Sequence, residues 1–175
     1  MILHRRGLTT GPDRAHPVFP PVSLVLAASA DAYVAGLTAF RAGDHRAWLR
    51  FFVEALYRAA RLAEALAADA RALRERWRAQ AGHPRRHSAA EAIISRLPER
   101  PILDLAGAVA LSGASREATR KALDHLASAG VLRELTGRRR LRRWEAVGLF
   151  DLLDETERRA AGRAPPRRSH PSEPV

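Results

Sequence analysis

The sequence contains no cysteine and no asparagine, and Lys121 is the single lysine among its 30 basic residues. Without cysteine there is no disulfide scaffold, no thiolate nucleophile and no thiolate zinc site, and a reducing cytoplasm suits such a chain. Without asparagine, no motif that requires Gly-Asn is available. A long apolar run is missing too. The stretch VSLVLAASAD, with Arg5, Arg6 and Arg14 upstream and Ala28-Ser29-Ala30 at its end, imitates a secretory signal. The basic region before it is too long, Pro17, Pro20 and Pro21 crowd its start, and Asp31 interrupts it well before the roughly 20 apolar residues of a membrane span. The chain reads as soluble, with no membrane partner.

Positive charge is what the sequence has in excess. Thirty basic residues against 19 acids give a formal charge of +11 over 175 residues. An anionic partner is the first expectation. Hydrophobic residues make up 46%, enough for one medium domain or two small ones with real cores.

Met1 to Leu8 can form one or two helical turns. The stretch from Thr9 to Pro21 holds four prolines and a glycine and reads as a loop. From Val22 to Ala42 the apolar positions Val22, Val25, Leu26, Ala30, Tyr33, Val34, Leu37 and Phe40 recur at steps of three and four, the spacing of one helical face. Ser29 and Asp31 are the places where this segment divides. Gly43 ends it, and Asp44 is set to cap a long helix reaching about Ala81. Trp48, Phe52, Ala55, Ala59, Leu62, Leu66, Leu73 and Trp77 form the apolar stripe of that helix, and its length suggests a connector. Gly82 to Ser88, a short basic stretch with Pro84, is the expected linker.

A small module follows. Ser88 can cap a helix carrying Ala89, Ile93, Ile94 and Leu97, which Pro98 and Pro101 end. Asp104 can cap a second helix, and Ser112-Gly113-Ala114 is the turn before a third, capped by Ser115 with Glu117 in its first turn. The inward side of the third helix is expected to be Ala118, Ala122, Leu123, Leu126 and Ala127, leaving Arg116, Thr119, Arg120 and Lys121 outward. Gly130 is placed to be the left-handed residue that closes it. The period then changes: Val131, Leu132 and Leu135, the pair Thr136-Gly137, three arginines, and Leu141, Trp144 and Val147 read as strand, turn, strand. The fold class is therefore mainly α, with a winged helix-turn-helix whose wing is the single β-hairpin. A last helix from Leu149 is expected to pack Phe150, Leu152 and Leu153 on this module. The stretch from residue 156 is expected to be a disordered tail.

Residues 115 to 143 hold nine basic groups and three acids, a charge of +6. Arginine stays charged and grips phosphate or guanine through two parallel hydrogen bonds. The expected contacts with duplex DNA are Arg116, Thr119, Arg120 and Lys121 on the third helix, and Arg138, Arg139, Arg140 and Arg142 on the wing. No catalytic constellation stands out. His83 and His87 are four apart, but Pro84 obstructs a helix between them and Arg85 and Arg86 repel a cation, so no metal is assigned. No phosphate-binding glycine loop, nucleophile elbow or dinucleotide fingerprint is present, and no cofactor is expected.

The run ILHRRGL, the proline-rich loop, the phrase PPVSLVLAASADAYVAGLTAFRAGD and the phrase AWLRFFVEAL together closely resemble the part of Fic family proteins that lies immediately after their active-site loop. The segment ending in GVLRELTGRRRLRRWEA is similar to the C-terminal domain that many bacterial members carry. The resemblance covers about Ile2 to Asp154. It implies a helical Fic domain that transfers AMP from ATP, with magnesium, onto a protein hydroxyl (AMPylation). The family's motif runs His-Pro-Phe, a variable residue, an acid, Gly-Asn and then Gly-Arg. None of its roles can be carried over here. His16-Pro17-Val18-Phe19-Pro20-Pro21 lies downstream of ILHRRGL, whereas the family's motif lies upstream, and Gly-Asn does not occur.

The resulting expectation is a truncated Fic protein. Residues 1–43 would be the C-terminal helices of its Fic domain, 44–81 a connector helix, 82–87 a linker, 88–155 the winged helix and 156–175 the tail. Such a chain would be inactive alone and would act through DNA or regulation of a partner. The alternative is that it is the tail of a full-length adenylyltransferase. Self-association or pairing with another Fic domain is also expected, through Val25, Leu26, Phe51 and Phe52, exposed by loss of the preceding helices.

Overall fold

The computed structural model describes residues 20–136 and 141–162. The expected turns and loop before residue 20, the wing tip with Arg138, Arg139 and Arg140, and the tail from 163 lie outside the described residues. The chain divides into two compact units, Met1–Ala67 with Asp154–Val175, and Ala68–Leu153.

In the first unit, α1 (Val22–Ala28) and α2 (Ala30–Arg41) are separated at Ser29 by a bend of 96°, at the break expected there. Gly43 takes φ +91°, a left-handed conformation that costs glycine little, and turns the chain into α3 (His45–Gln80). Asp44 Oδ1 accepts from the Ala47 amide at 3.0 Å, filling one of the donors that a helix start leaves unpaired. Along α3 the inner stripe continues as Ala55, Ala59 and Leu62, buried with Val25 and Ala160. Trp48 lies among Tyr33, Phe40, Phe51 and Phe52, with ring centroids 5.7–6.3 Å from all four. Gly36 makes this possible, since a Cβ there would come within 3.0 Å of the Trp48 ring.

Two expectations for this unit need correction. Val25 is buried rather than exposed, because α1 folds its apolar side onto α3. Leu26, Phe51 and Phe52 are half-buried, and the large apolar side chains most exposed among the described residues of this unit are instead Val34, Leu49, Val53 and Tyr57. The last helix, α7 (Leu149–Ala160), runs into the stretch expected to be tail, because Thr156 and Ala160 are buried and Arg58 donates to the Ala160 carbonyl at 3.2 Å. Among the described residues no single helix is long and apolar enough to cross a membrane; α1 and α2 together have that length and apolarity but are bent apart.

The second unit is built around one buried apolar cluster. The end of α3 supplies Leu73 and Trp77, which with Ala81 just beyond it share that cluster with Ile93, Ile94 and Leu97. Trp77 also donates its indole N–H to the Val147 carbonyl at 3.0 Å. The expected linker 82–87 therefore lies within this unit, and the division of the chain falls earlier, after Ala67. Helices α4 (Ala89–Arg96), α5 (Leu105–Ser112) and α6 (Arg116–Ser128) carry the expected caps. Ser88, Asp104 and Ser115 accept from the amides of Glu91, Gly107 and Ala118 at 3.2, 2.7 and 3.2 Å. Gly113, at φ +64°, makes the turn between α5 and α6.

Strands β2 (Leu132–Glu134) and β3 (Arg143–Ala146) form the expected hairpin, and β1 (Ile102–Asp104) adds a third strand in the antiparallel order β1-β3-β2. Ile102, Leu103 and Asp104 pair with Glu145, Trp144 and Arg143. Three residues are too few for alternation to be read, and their partners lie some forty residues away, so this strand left no local signal. Leu149 begins α7 inside this core with Leu152 half-buried, whereas Phe150 and Leu153, also expected to pack there, are exposed. The inward line of α7 runs 149, 152, 156, 160, and Phe150 falls off it.

Candidate nucleic-acid interface

The exposed side of α6 is where the expected contacts begin. Arg116 opens the helix in solvent and makes no ion pair among the described residues. Arg120 is also exposed, but its guanidinium is engaged: it donates to both Glu117 oxygens, at 2.8 and 3.2 Å, and lies 3.6 Å from Asp124. Lys121 Nζ is 3.7 Å from Glu117. The Arg120 hydrogen bonds hold the Glu117 carboxyl below the usual range, and those same bonds raise Arg120.

Thr119 does not belong to this face. It is fully buried, its hydroxyl 3.0 Å from that of Ser112 across the turn. At 100° per residue, position 119 shares a side with Ala122, Leu123 and Leu126, all buried, while Ala118, expected inward, is exposed. The expected inward positions Ala122, Leu123 and Leu126 hold, and Thr119 takes the inward place expected of Ala118. The hydroxyl of Thr119 let it pass for a surface residue, though with Ser112 as partner it is satisfied inside.

Arg142 departs from expectation in another way. Strand alternation puts it on the same face of the hairpin as Trp144 and Ala146, toward α6, and leaves Arg143 and Glu145 on the other. Its Nη1 donates to Asp124 Oδ1 at 3.0 Å and its Nη2 to Glu134 Oε2 at 2.7 Å, with the guanidinium carbon 4.7 Å from the Trp144 ring centroid. The bond from Arg142 holds Glu134 below the ordinary carboxylate range, and the same bond raises Arg142 against the opposing effect of burial. Glu117, Arg120, Asp124, Arg142 and Glu134 thus form an alternating chain of charges from the start of α6 to β2.

Two cations outside the expected set take solvent positions. Arg100 and Arg143 line a shallow groove with Ile102, Leu103, Asp104 and Gly107, and neither makes an ion pair among the described residues. Alternation along β3 was the available signal for Arg143; Arg100 left none. Arg133, by contrast, is paired with Glu145 across the strands. Arg138, Arg139 and Arg140 lie outside the described residues. Among the described residues no three His, Asp or Glu side chains come together in a way that could hold a metal ion.

The chain matches no family model and no curated protein.

Proposed function

We propose that residues 88–155 work as a winged helix on duplex DNA, in a Fic-type protein whose catalytic motif this chain does not contain. The observation that carries the reading is the solvent face of α6: Arg116, Arg120 and Lys121 stand on the helix that follows a tight left-handed turn, and that helix packs beside the β2–β3 hairpin, whose connecting stretch is Arg138-Arg139-Arg140 in sequence. A helix of this kind enters the major groove while a basic hairpin tip meets the backbone. The contact set is revised to Arg116, Arg120, Lys121, Arg138, Arg139 and Arg140, with Thr119 and Arg142 removed because both are engaged inside the unit.

Titration of duplex DNA at several salt concentrations tests this. Binding is expected to weaken steeply with salt, and replacing Arg138, Arg139 and Arg140 together with alanine is expected to flatten the slope by about 3, near 0.9 per lost phosphate contact. Absence of binding at low salt would overturn the DNA reading in favour of a protein-interaction module.

The likeness of PPVSLVLA and YVAGLTAFR to the segment after a Fic active-site loop supports a second reading, in which the working protein is an AMP-transferring enzyme and these residues are its C-terminal part. An in-frame His-Pro-Phe and Gly-Asn in the genomic sequence ahead of the Met1 codon would support it; a stop codon with no such codons beyond it would remove it.

A further inference from the structure

We infer that Arg142 is a positioning residue, clasping the β2–β3 hairpin to α6 and making no phosphate contact of its own. The hairpin is slight, with strands of three and four residues, and so short a ribbon holds its direction poorly without a tether. Arg142 supplies one from three sides. Asp124 belongs to α6, Glu134 to β2 and Trp144 to β3, so one guanidinium joins three elements through two charge-assisted hydrogen bonds and a cation–π contact over the indole. Only 32% of its side chain is exposed, and a phosphate would have to displace two carboxylates to reach it. Arg116, exposed and without an ion pair among the described residues, has the opposite character. Lysine cannot replace Arg142, because an ammonium offers no planar fork to hold both carboxylates and no flat face for the indole. The clasp stands on contacts within this unit; its consequence for DNA rests on the reading above.

Hydrogen exchange on the full chain separates the possibilities, with Arg142→Ala and Arg142→Lys compared with the parent. The reporters are the Leu135 amide, which donates to the Arg143 carbonyl at 2.9 Å, and the Arg143 amide, which donates to Thr136 Oγ1 at 3.2 Å. Both variants are expected to exchange on the order of tenfold faster at these two amides, while the amides of Leu123 and Leu126 in α6 keep their protection. The indole proton of Trp144 is expected to shift in both. Unchanged protection at Leu135 and Arg143 would overturn the clasp, as would an equal loss of protection at all four amides, which marks general destabilisation.

DNA titration adds the second arm. If the parent binds, Arg142→Ala is expected to weaken binding at every salt concentration with the slope unchanged, whereas Arg116→Ala is expected to lower the slope by about 0.9 and leave exchange unaltered. A slope lowered by about 0.9 in Arg142→Ala would make Arg142 a phosphate contact and overturn the inference. If the parent binds no DNA, the DNA reading fails while exchange at the hairpin still decides the clasp.

Discussion

Polar side chains in this protein sort by partner more than by type. Thr119 and Ser112 share a hydroxyl pair beneath the turn, and removing one member is expected to cost about 1 kcal/mol, the usual net worth of a buried hydrogen bond. Thr119→Val should therefore lower the urea midpoint of unfolding with little change in its slope, and leave any DNA affinity of the folded protein intact. Arg78 and Glu91 make the corresponding charged pair. Glu91 receives the Arg78 fork at 2.7 and 3.0 Å and the Ser95 hydroxyl at 3.1 Å. Burial pushes its carboxyl up, but the bonds from Arg78 and Ser95 outweigh this and leave it below the ordinary value of 4.5. A carboxyl depressed in the folded state stabilises above its unfolded value and loses that contribution as pH falls through the folded one. Stability of the parent is accordingly expected to fall more steeply below about pH 4.5 than that of Glu91→Gln, measured by urea unfolding between pH 6 and 3.

Caps, turns and core stripes explain why the elements were legible. Ser88, Asp104 and Ser115 announce their helices because a short oxygen-bearing side chain can reach back to a free amide two or three residues on, and each does so. Gly113 and Gly130 mark turns because their backbones are left-handed, at φ +64° and +75°. Gly113→Ala is expected to destabilise by about 1 kcal/mol through that conformation alone, since no described residue lies within 4 Å of the place its Cβ would take. Trp77 is the strongest single tie between α3 and the unit it ends in, fully buried and bonded to the Val147 carbonyl. Trp77→Ala is expected to cost about 4 kcal/mol, seen as a loss of cooperative unfolding at 25 °C or a large fall in midpoint. On α6 only Ala118 and Thr119 exchange sides relative to the spacing, because threonine and alanine fit either side of a helix in composition and the neighbours decide.

Across the full chain, charge and exposed apolar surface set behaviour. The formal charge of +11 is an average over groups in different states. Four of the cations near the hairpin, Arg120, Lys121, Arg133 and Arg142, are matched by Glu117, Asp124, Glu134 and Glu145, so each adds less to the field than Arg116, which makes no ion pair among the described residues. The first unit has a different surface, with Val53 62% and Tyr57 67% exposed on neighbouring turns of α3. Exposed apolar groups of this size promote association. Val53→Glu combined with Leu49→Glu is expected to raise the concentration at which the protein stays monodisperse in light scattering, without lowering its melting temperature.

Helix order, capping, the hairpin and the basic character of residues 115–143 follow from spacing and composition, because each is a local property of neighbouring residues along the chain. Three outcomes belong to packing. Strand β1 forms only once β3 comes alongside it; Thr119 turns inward because Ser112 waits there; and Arg142 faces α6 because Asp124 and Glu134 converge on it from two elements. A linear pattern carries the periodicity of a face, whereas the partner of that face is fixed only when residues distant in sequence are brought within a few ångströms.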